Sequence, residues 1–298
     1  MAKYSELKQQ TRTHILLEGD SGSGKSTLAS KMILHGYNLK WISTDNGHTI
    51  IDKLPLDLVE QHIDIIALPD TRDYPIASQT VRQLFKMEPC SICNNHGLKD
   101  CDRCRKINQS FTTWDFSTLG EKDIVIIDHL SGVADSYMNT ICKKREVDYK
   151  PQLDDWGALR FHLADLGLAV QNAPCNIIGI CHLTIAELED KQKKLVPQIG
   201  SDATGRGFAK YFDHVVYMGI KNGSHTAGSA TTYANNIITK SRTDVQIEDM
   251  LEPDLLPFFN GQEWERIKKE NEKKMKDNAQ EASGNLSSLI STLRAKKG

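Results

Sequence analysis

Gly19-Asp20-Ser21-Gly22-Ser23-Gly24-Lys25-Ser26-Thr27 satisfies the pattern G-x-x-x-x-G-K-[ST], with Gly19, Gly24, Lys25 and Ser26 at the defining positions. Glycines let a backbone curl around a polyphosphate and turn its N–H groups inward. A lysine at this spacing reaches the β- and γ-phosphates, and the hydroxyl after it can ligate Mg²⁺. The flanks agree with that reading. His14-Ile15-Leu16-Leu17-Glu18 reads as a short buried strand. Leu28-Ala29-Ser30-Lys31-Met32-Ile33-Leu34 continues the loop as a helix that Gly36 can cap. Strand, glycine-rich loop and helix together imply a nucleoside triphosphate site, for ATP or GTP. What the hydrolysis would serve does not follow from the loop.

The chain has 298 residues, room for one large α/β domain with additions or for two small domains. Its hydrophobic content of 39%, charged content of 26% and net charge of −2 describe an ordinary soluble protein, not a globally basic nucleic-acid binder. No apolar run approaches the roughly 18 residues of a membrane span. The polar start, Met1-Ala2-Lys3-Tyr4-Ser5-Glu6-Leu7-Lys8, lacks a signal-peptide core, so a cytoplasmic location is expected. In a reducing compartment the seven cysteines are metal ligands or buried thiols rather than disulfides.

Continuous apolar runs predict further strands at Leu39–Ser43, Ile63–Leu68, Asp123–Asp128, Asn176–Cys181, His214–Met218 and Tyr233–Thr239, and a helix at Ser78–Phe85. Runs that do not alternate belong to sheets covered by helices on both faces. The expected organisation is an α/β P-loop core over 1–258 with a mostly parallel central sheet. An insertion lies at 86–108 and a charged helical tail at 259–298.

Ile124-Val125-Ile126-Ile127-Asp128 is an apolar strand ending in a carboxylate, the pattern that holds Mg²⁺ beside a P-loop. His129 after it reads as a surface or capping residue. A hydrolase also needs a group that orients or deprotonates water. Asp45, just past the second strand, is the first choice, although Thr44-Asp45-Asn46-Gly47 is also turn chemistry. Glu18 is a weaker candidate. His182, after the strand ending at Cys181, suits either a γ-phosphate sensor or a buried structural histidine.

Cys90-Ser91-Ile92-Cys93 and Cys101-Asp102-Arg103-Cys104 form a C-x₂-C…C-x₂-C array. Two such pairs close one tetrahedral Zn²⁺ site, and four protein ligands make it structural. His96 is then free, and Cys142, Cys175 and Cys181 read as buried thiols.

Thr184 to Lys210 reads as a long, flexible basic loop carrying Lys191, Lys193, Lys194, Arg206 and Lys210, although Glu187, Glu189 and Asp190 also suit a plain solvated loop. Its cations could contact a nucleic-acid backbone. Lys240-Ser241-Arg242 places two cations on one face of a strand. They could reach a neighbouring subunit's γ-phosphate, or simply end the strand in solvent.

These pieces in this order resemble the RecA-like ATPase core, and more closely the phage-encoded P-loop ATPases of the Sak-type single-strand annealing and recombination group. The likeness rests on Gly19 to Thr27, Asp45, Asp128, His182, Pro197 followed by Gly200, Phe212 to Tyr217, and Lys240-Ser241-Arg242, which looks like the K-x-R element acting across a subunit boundary. It implies ATP-dependent single-stranded DNA binding by a homo-oligomeric ring or filament. It also implies DNA contacts in the loop after the sensor position, which favours the sensor role for His182. A single-strand binding protein or another replication or recombination protein is an implied partner, and the host cytoplasm the location. Two features depart from the family. No glutamate of the bacterial RecA kind follows the second strand, so Asp45 must substitute, and the cysteine insertion lies outside the core pattern.

In the tail, Leu286, Leu289, Ile290 and Leu293 form an apolar stripe at helical spacing that could dock on a partner or on the chain's own core. Two other functions fit parts of the sequence. A zinc-containing nucleoside or nucleotide kinase would share the P-loop and cysteines, although no Arg-rich lid is evident. An ATP-switched DNA-binding scaffold would hydrolyse slowly.

Overall fold

The computed structural model describes residues 12–259 apart from 46, 69, 73, 86–113, 115, 144, 146–147, 188–190, 192, 230–236, 243–244, 246 and 248–249. Cys90, Cys93, Cys101, Cys104, His96 and the tail stripe lie outside the described residues.

The chain alternates strand and helix. β1 (His14–Gly19) leads into α1 (Lys25–Ser30), which tightens into a 3-10 turn at Lys31–His35 and stops at Gly36 in the left-handed conformation. β2 (Asn38–Ser43), α2 (Leu56–His62), β3 (Ile63–Ala67) and α3 (Ile76–Leu84) follow. Next come β4 (Asp123–Asp128), α4 (Leu130–Cys142), α5 (Leu153–Gln171) and β5 (Asn176–Cys181). The remaining elements are β6 (Leu183–Glu187), β7 (Lys193–Pro197), α6 (Asp202–Phe208), β8 (His214–Lys221), β9 (Ser224–Gly228), β10 (Lys240–Ser241), β11 (Met250–Leu251) and α7 (Leu256–Phe259).

β8, β1, β5, β4, β2 and β3 lie side by side, each parallel to its neighbour. β9, β10 and β11 extend the β8 edge antiparallel. Every residue of β1 and β5 is buried, as the unbroken apolar runs required. Leu16, Val125, Ile127, Ile177 and Val215 face a core built with α3, α4, α5 and α6. Their strand neighbours Ile15, Leu17, Ile126, Ile178 and Val216 face α1 and its 3-10 extension. The expected α/β fold with a mostly parallel central sheet is present.

Two expectations need correction. Residues 184–210 are not one long loop: β6 and β7 form an antiparallel hairpin, and α6 follows. Ile185 pairs with Leu195 and Glu187 with Lys193 in a small two-stranded sheet, which stands apart from the main one. The other concerns Tyr233–Thr239, of which only 237–239 are described. Ile237 makes a lone bridge to Leu195, Ile238 and Thr239 lie in no strand, and among the described residues of this stretch it is Lys240–Ser241 that joins the main sheet. The reason is competition for one edge. β9 returns through a turn at Asn222 and Gly223 and pairs Tyr217 to Lys221, which leaves the start of β8 for β10.

α6 seats its first turn on the end of β7. A Cβ on Gly205 would lie 2.0 Å from the Pro197 carbonyl oxygen, whereas one on Gly207 would meet nothing within 4 Å. Gly205→Ala is therefore expected to lower the melting temperature by roughly 4–8 °C, from an overpacking cost of about 2 kcal/mol. Gly207→Ala should raise it by roughly 2–4 °C through helix propensity. Thermal melts of both variants check this; equal shifts would contradict the packing argument.

Candidate nucleotide site

The glycine-rich loop leaves β1 at Gly19 and enters α1 at Lys25. Gly24 sits at φ 92° and ψ 14°, a conformation that side-chain-bearing residues rarely adopt, and no side chain caps the helix it begins. The Lys25 ammonium donates to the carbonyls of Gly19 and Asp20, both at 2.7 Å. Burial lowers its pKa, opposed by nearby acidic groups that include Asp128, Asp20 and Asp45.

Above the strand ends lies a cavity of about 460 Å³. Lys25, Ser26, Asp45, Asp128, His129 and His182 line it, so these four sequence positions outside the loop converge on it. Asp128, at the end of β4, is 3% exposed, and its Oδ2 is buried without a hydrogen-bond partner. Burial, aided by the Asp45 charge, pushes its carboxyl up to about 6; the Ser26 hydroxyl and Lys25 pull the other way. A buried carboxylate oxygen lacking a donor, beside a serine hydroxyl, is a hard-oxygen pair that fits Mg²⁺. Ser26 and Asp128 are the residues that would hold it.

Asp45 follows β2 with its side chain about half exposed, 3.5 Å from the Nε2 of His129. His129 caps α4, its Nδ1 accepting from the Gly132 N–H at 2.8 Å, so the expected capping role is present. Its ring meets that of His182 edge-on at 4.6 Å. The His182 backbone N–H donates to Ser131 Oγ at 3.2 Å, and its carbonyl accepts from Gln198 N at 2.8 Å. His182 thus sits at the root of the β6–β7 hairpin. Burial, then the Lys25 charge, lowers its pKa.

Glu18 does not line the cavity. It is fully buried in β1, both carboxylate oxygens without partners, and burial pushes its pKa well up despite the Lys194 charge. Of the expected DNA contacts, Lys193 and Lys194 lie on β7 with Lys191 at the hairpin turn, while Arg206 is on α6 and Lys210 stacks over Tyr211 beyond it. They therefore fall on two elements, the β6–β7 hairpin and the α6 region.

Lys240 and Arg242 are not in the cavity. β10 pairs with His214 and Val215 at the start of β8, the end of the sheet opposite the P-loop. Lys240 donates to the Phe212 carbonyl, and Arg242 pairs with Asp213 at 2.7 Å. Asp213 also accepts from the His14 N–H at 3.0 Å. Burial, then the Arg242 charge, lowers the Lys240 pKa.

Sequence reading missed His225. It lies on β9, lines the cavity, and its Nδ1 donates to the Ser23 carbonyl at 3.0 Å. Nothing local marks it, because its place depends on the β8–β9 turn. Thr49, Ile50 and Lys53, from a 3-10 turn at Gly47–Lys53, complete the near wall and were likewise missed. Cys142, Cys175 and Cys181 are buried free thiols, as expected, and burial pushes Cys175 up to about 12. No helix among the described residues is long and apolar enough to cross a membrane.

No curated protein matches the chain. Among solved structures it is similar to a RadB recombinase at 12% identity and a TM-score of 0.39, covering 72% of this chain and 79% of that one. The family model described as an AAA domain matches residues 11–243, a span that runs from the start of β1 through Arg242. With P-loop, Asp128 strand and cavity all inside that span, the chain belongs to the AAA domain family, as an AAA-type P-loop ATPase domain.

Proposed function

We propose that this chain hydrolyses ATP in the cavity above β1 and β4 and couples that hydrolysis to single-stranded DNA, as a homo-oligomer serving recombination, annealing or replication. One observation carries the reading: His182 lines the ATP cavity and is continuous with a hairpin that bears Lys191 and Lys193. A change at the phosphate end of the site therefore has a short covalent path to a cationic surface.

In the proposed reaction a water oxygen attacks the γ-phosphorus. The bond to the β,γ-bridging oxygen breaks, and ADP leaves with the electron pair. The water's proton passes to the Asp45 carboxylate and then to solvent. Lys25 neutralises charge developing on the phosphates. Ser26 and Asp128 would hold Mg²⁺, which would supply positive charge against the anionic phosphates. His182 reports the state of the γ-phosphate to β6. Lys240 and Arg242, turned away from their own cavity, are assigned to a neighbour's site in a ring or filament, which requires them to leave Phe212 and Asp213. A phage setting and single-strand binding partners extend the same reading.

The test is steady-state phosphate release with and without single-stranded DNA, at low and high salt. Stimulation of several-fold is expected, and it should fade as salt rises because phosphate contacts release counterions. A Lys191→Ala/Lys193→Ala chain should lose most of the stimulation. No stimulation by DNA of any length, in a chain that binds ATP, would remove the DNA part of the reading; tight DNA binding without stimulation would favour a switched scaffold.

A further inference from the structure

The ends of β2 and β4 are fastened together beside the cavity. Thr44 N donates to the Asp128 carbonyl at 2.7 Å, and His129 N donates to Thr44 Oγ1 at 3.0 Å. Gly132 permits this closeness: a Cβ there would lie 2.4 Å from Thr44 Oγ1 and 3.2 Å from His129 Cε1. Asp45 follows Thr44 directly, so the clamp fixes where its carboxylate begins.

The His129 ring then has two distinct edges. Nδ1 accepts the Gly132 N–H, which assigns the proton of a neutral ring to Nε2. That Nε2 lies 3.5 Å from Asp45 Oδ2, and the His182 ring packs edge-on against the imidazole. Proton inventory gives His129 a donor, not an acceptor, on the cavity side, so it cannot take the water's proton itself. It can hold a carboxylate that does.

We propose that His129 is a positioning residue: its Nε2–H aims the Asp45 carboxylate while its Nδ1 caps α4. This rests on the reading of Asp45 as the group that takes the water's proton. The two edges can be separated by substitution. Asparagine retains the capping acceptor but is too short to reach Asp45. Glutamine retains a donor at the Nε2 position but caps poorly.

The experiment measures kcat, KM for ATP and melting temperature for full-length His129→Asn, His129→Gln, Asp45→Asn and His129→Asn/Asp45→Asn. His129→Asn should keep its melting temperature and KM, with kcat down about 10–100-fold, the scale of a misplaced reacting group. His129→Gln should melt lower yet recover most of the kcat. The double variant should be no slower than Asp45→Asn alone, because the two residues act as one unit. Wild-type kcat in His129→Asn alongside an impaired Asp45→Asn would overturn the inference alone, as would a glutamine variant no faster than the asparagine one, or additive losses. Wild-type kcat in Asp45→Asn would overturn the reading of Asp45, and the inference with it.

Discussion

Lys25→Ala should turn over ATP about 10²–10³-fold more slowly than the native chain, the usual cost of deleting one preorganised donor at developing charge. The ammonium is already drawn between the carbonyls of Gly19 and Asp20, at the mouth of the cavity and partly stripped of water. Burial makes such a charge strong toward an anionic phosphate, since little solvent screens it. Lys25→Arg should not rescue, because a planar fork does not fit the point-charge seat between two carbonyls. Both variants should melt within a few degrees of wild type, since the lysine serves the site more than the core. Phosphate release at saturating ATP measures the effect. A turnover for Lys25→Ala within threefold of wild type would contradict the assignment.

Asp128→Asn should move activity and stability in opposite directions. Its carboxyl titrates near 6 in the fold, against an ordinary carboxylate value of 3.8, because burial disfavours the charged form. A raised acid contributes stability that is full below the ordinary value and is lost as pH rises through about 6. At pH 8 the ionised side chain therefore costs the fold up to about 3 kcal/mol. Asparagine removes that cost. The variant should melt higher than wild type at pH 8 and lose most of this advantage at pH 4.5, while its Mg²⁺-dependent turnover falls about 10²–10³-fold. Mg²⁺ with ATP should raise the melting temperature of the wild type and hardly that of the variant. Melting curves at the two pH values decide it, and a variant less stable than wild type at pH 8 would sink the argument.

These two residues could be found by reading because their chemistry is local. The P-loop is contiguous, and Asp128 ends a strand whose apolar run marks burial on both faces. β1, β4 and β5 were legible for the same reason. The β6–β7 hairpin was not, because its short strands mix Lys193 and Lys194 with apolar residues and its sheet is only two strands wide. His129 was legible as a cap, which depends on Gly132 three residues on, but its approach to Asp45 joins the ends of two strands remote in sequence. His225 reached the cavity through β9, an element that no periodicity announced. The position of Lys240 and Arg242 was hidden likewise: their spacing shows a shared face, but only the pairing of β10 with the start of β8 says which end of the sheet they occupy.

The partners of β1 carry a consequence for how the protein is made. Among the described residues the strand that ends in the P-loop pairs with β5 and β8, both remote in sequence, with His14 opposite Ile177 and Ile15 opposite His214. At ribosomal rates of about 5–20 residues per second, roughly 10–40 s separate the emergence of β1 from that of β8. On the same scale β5 emerges roughly 8–32 s after β1, so the nucleotide loop has no strand beside it until then and lacks its second flank until β8. A nascent chain therefore acquires affinity for ATP late, once two strands from its second half have closed on either side of its first.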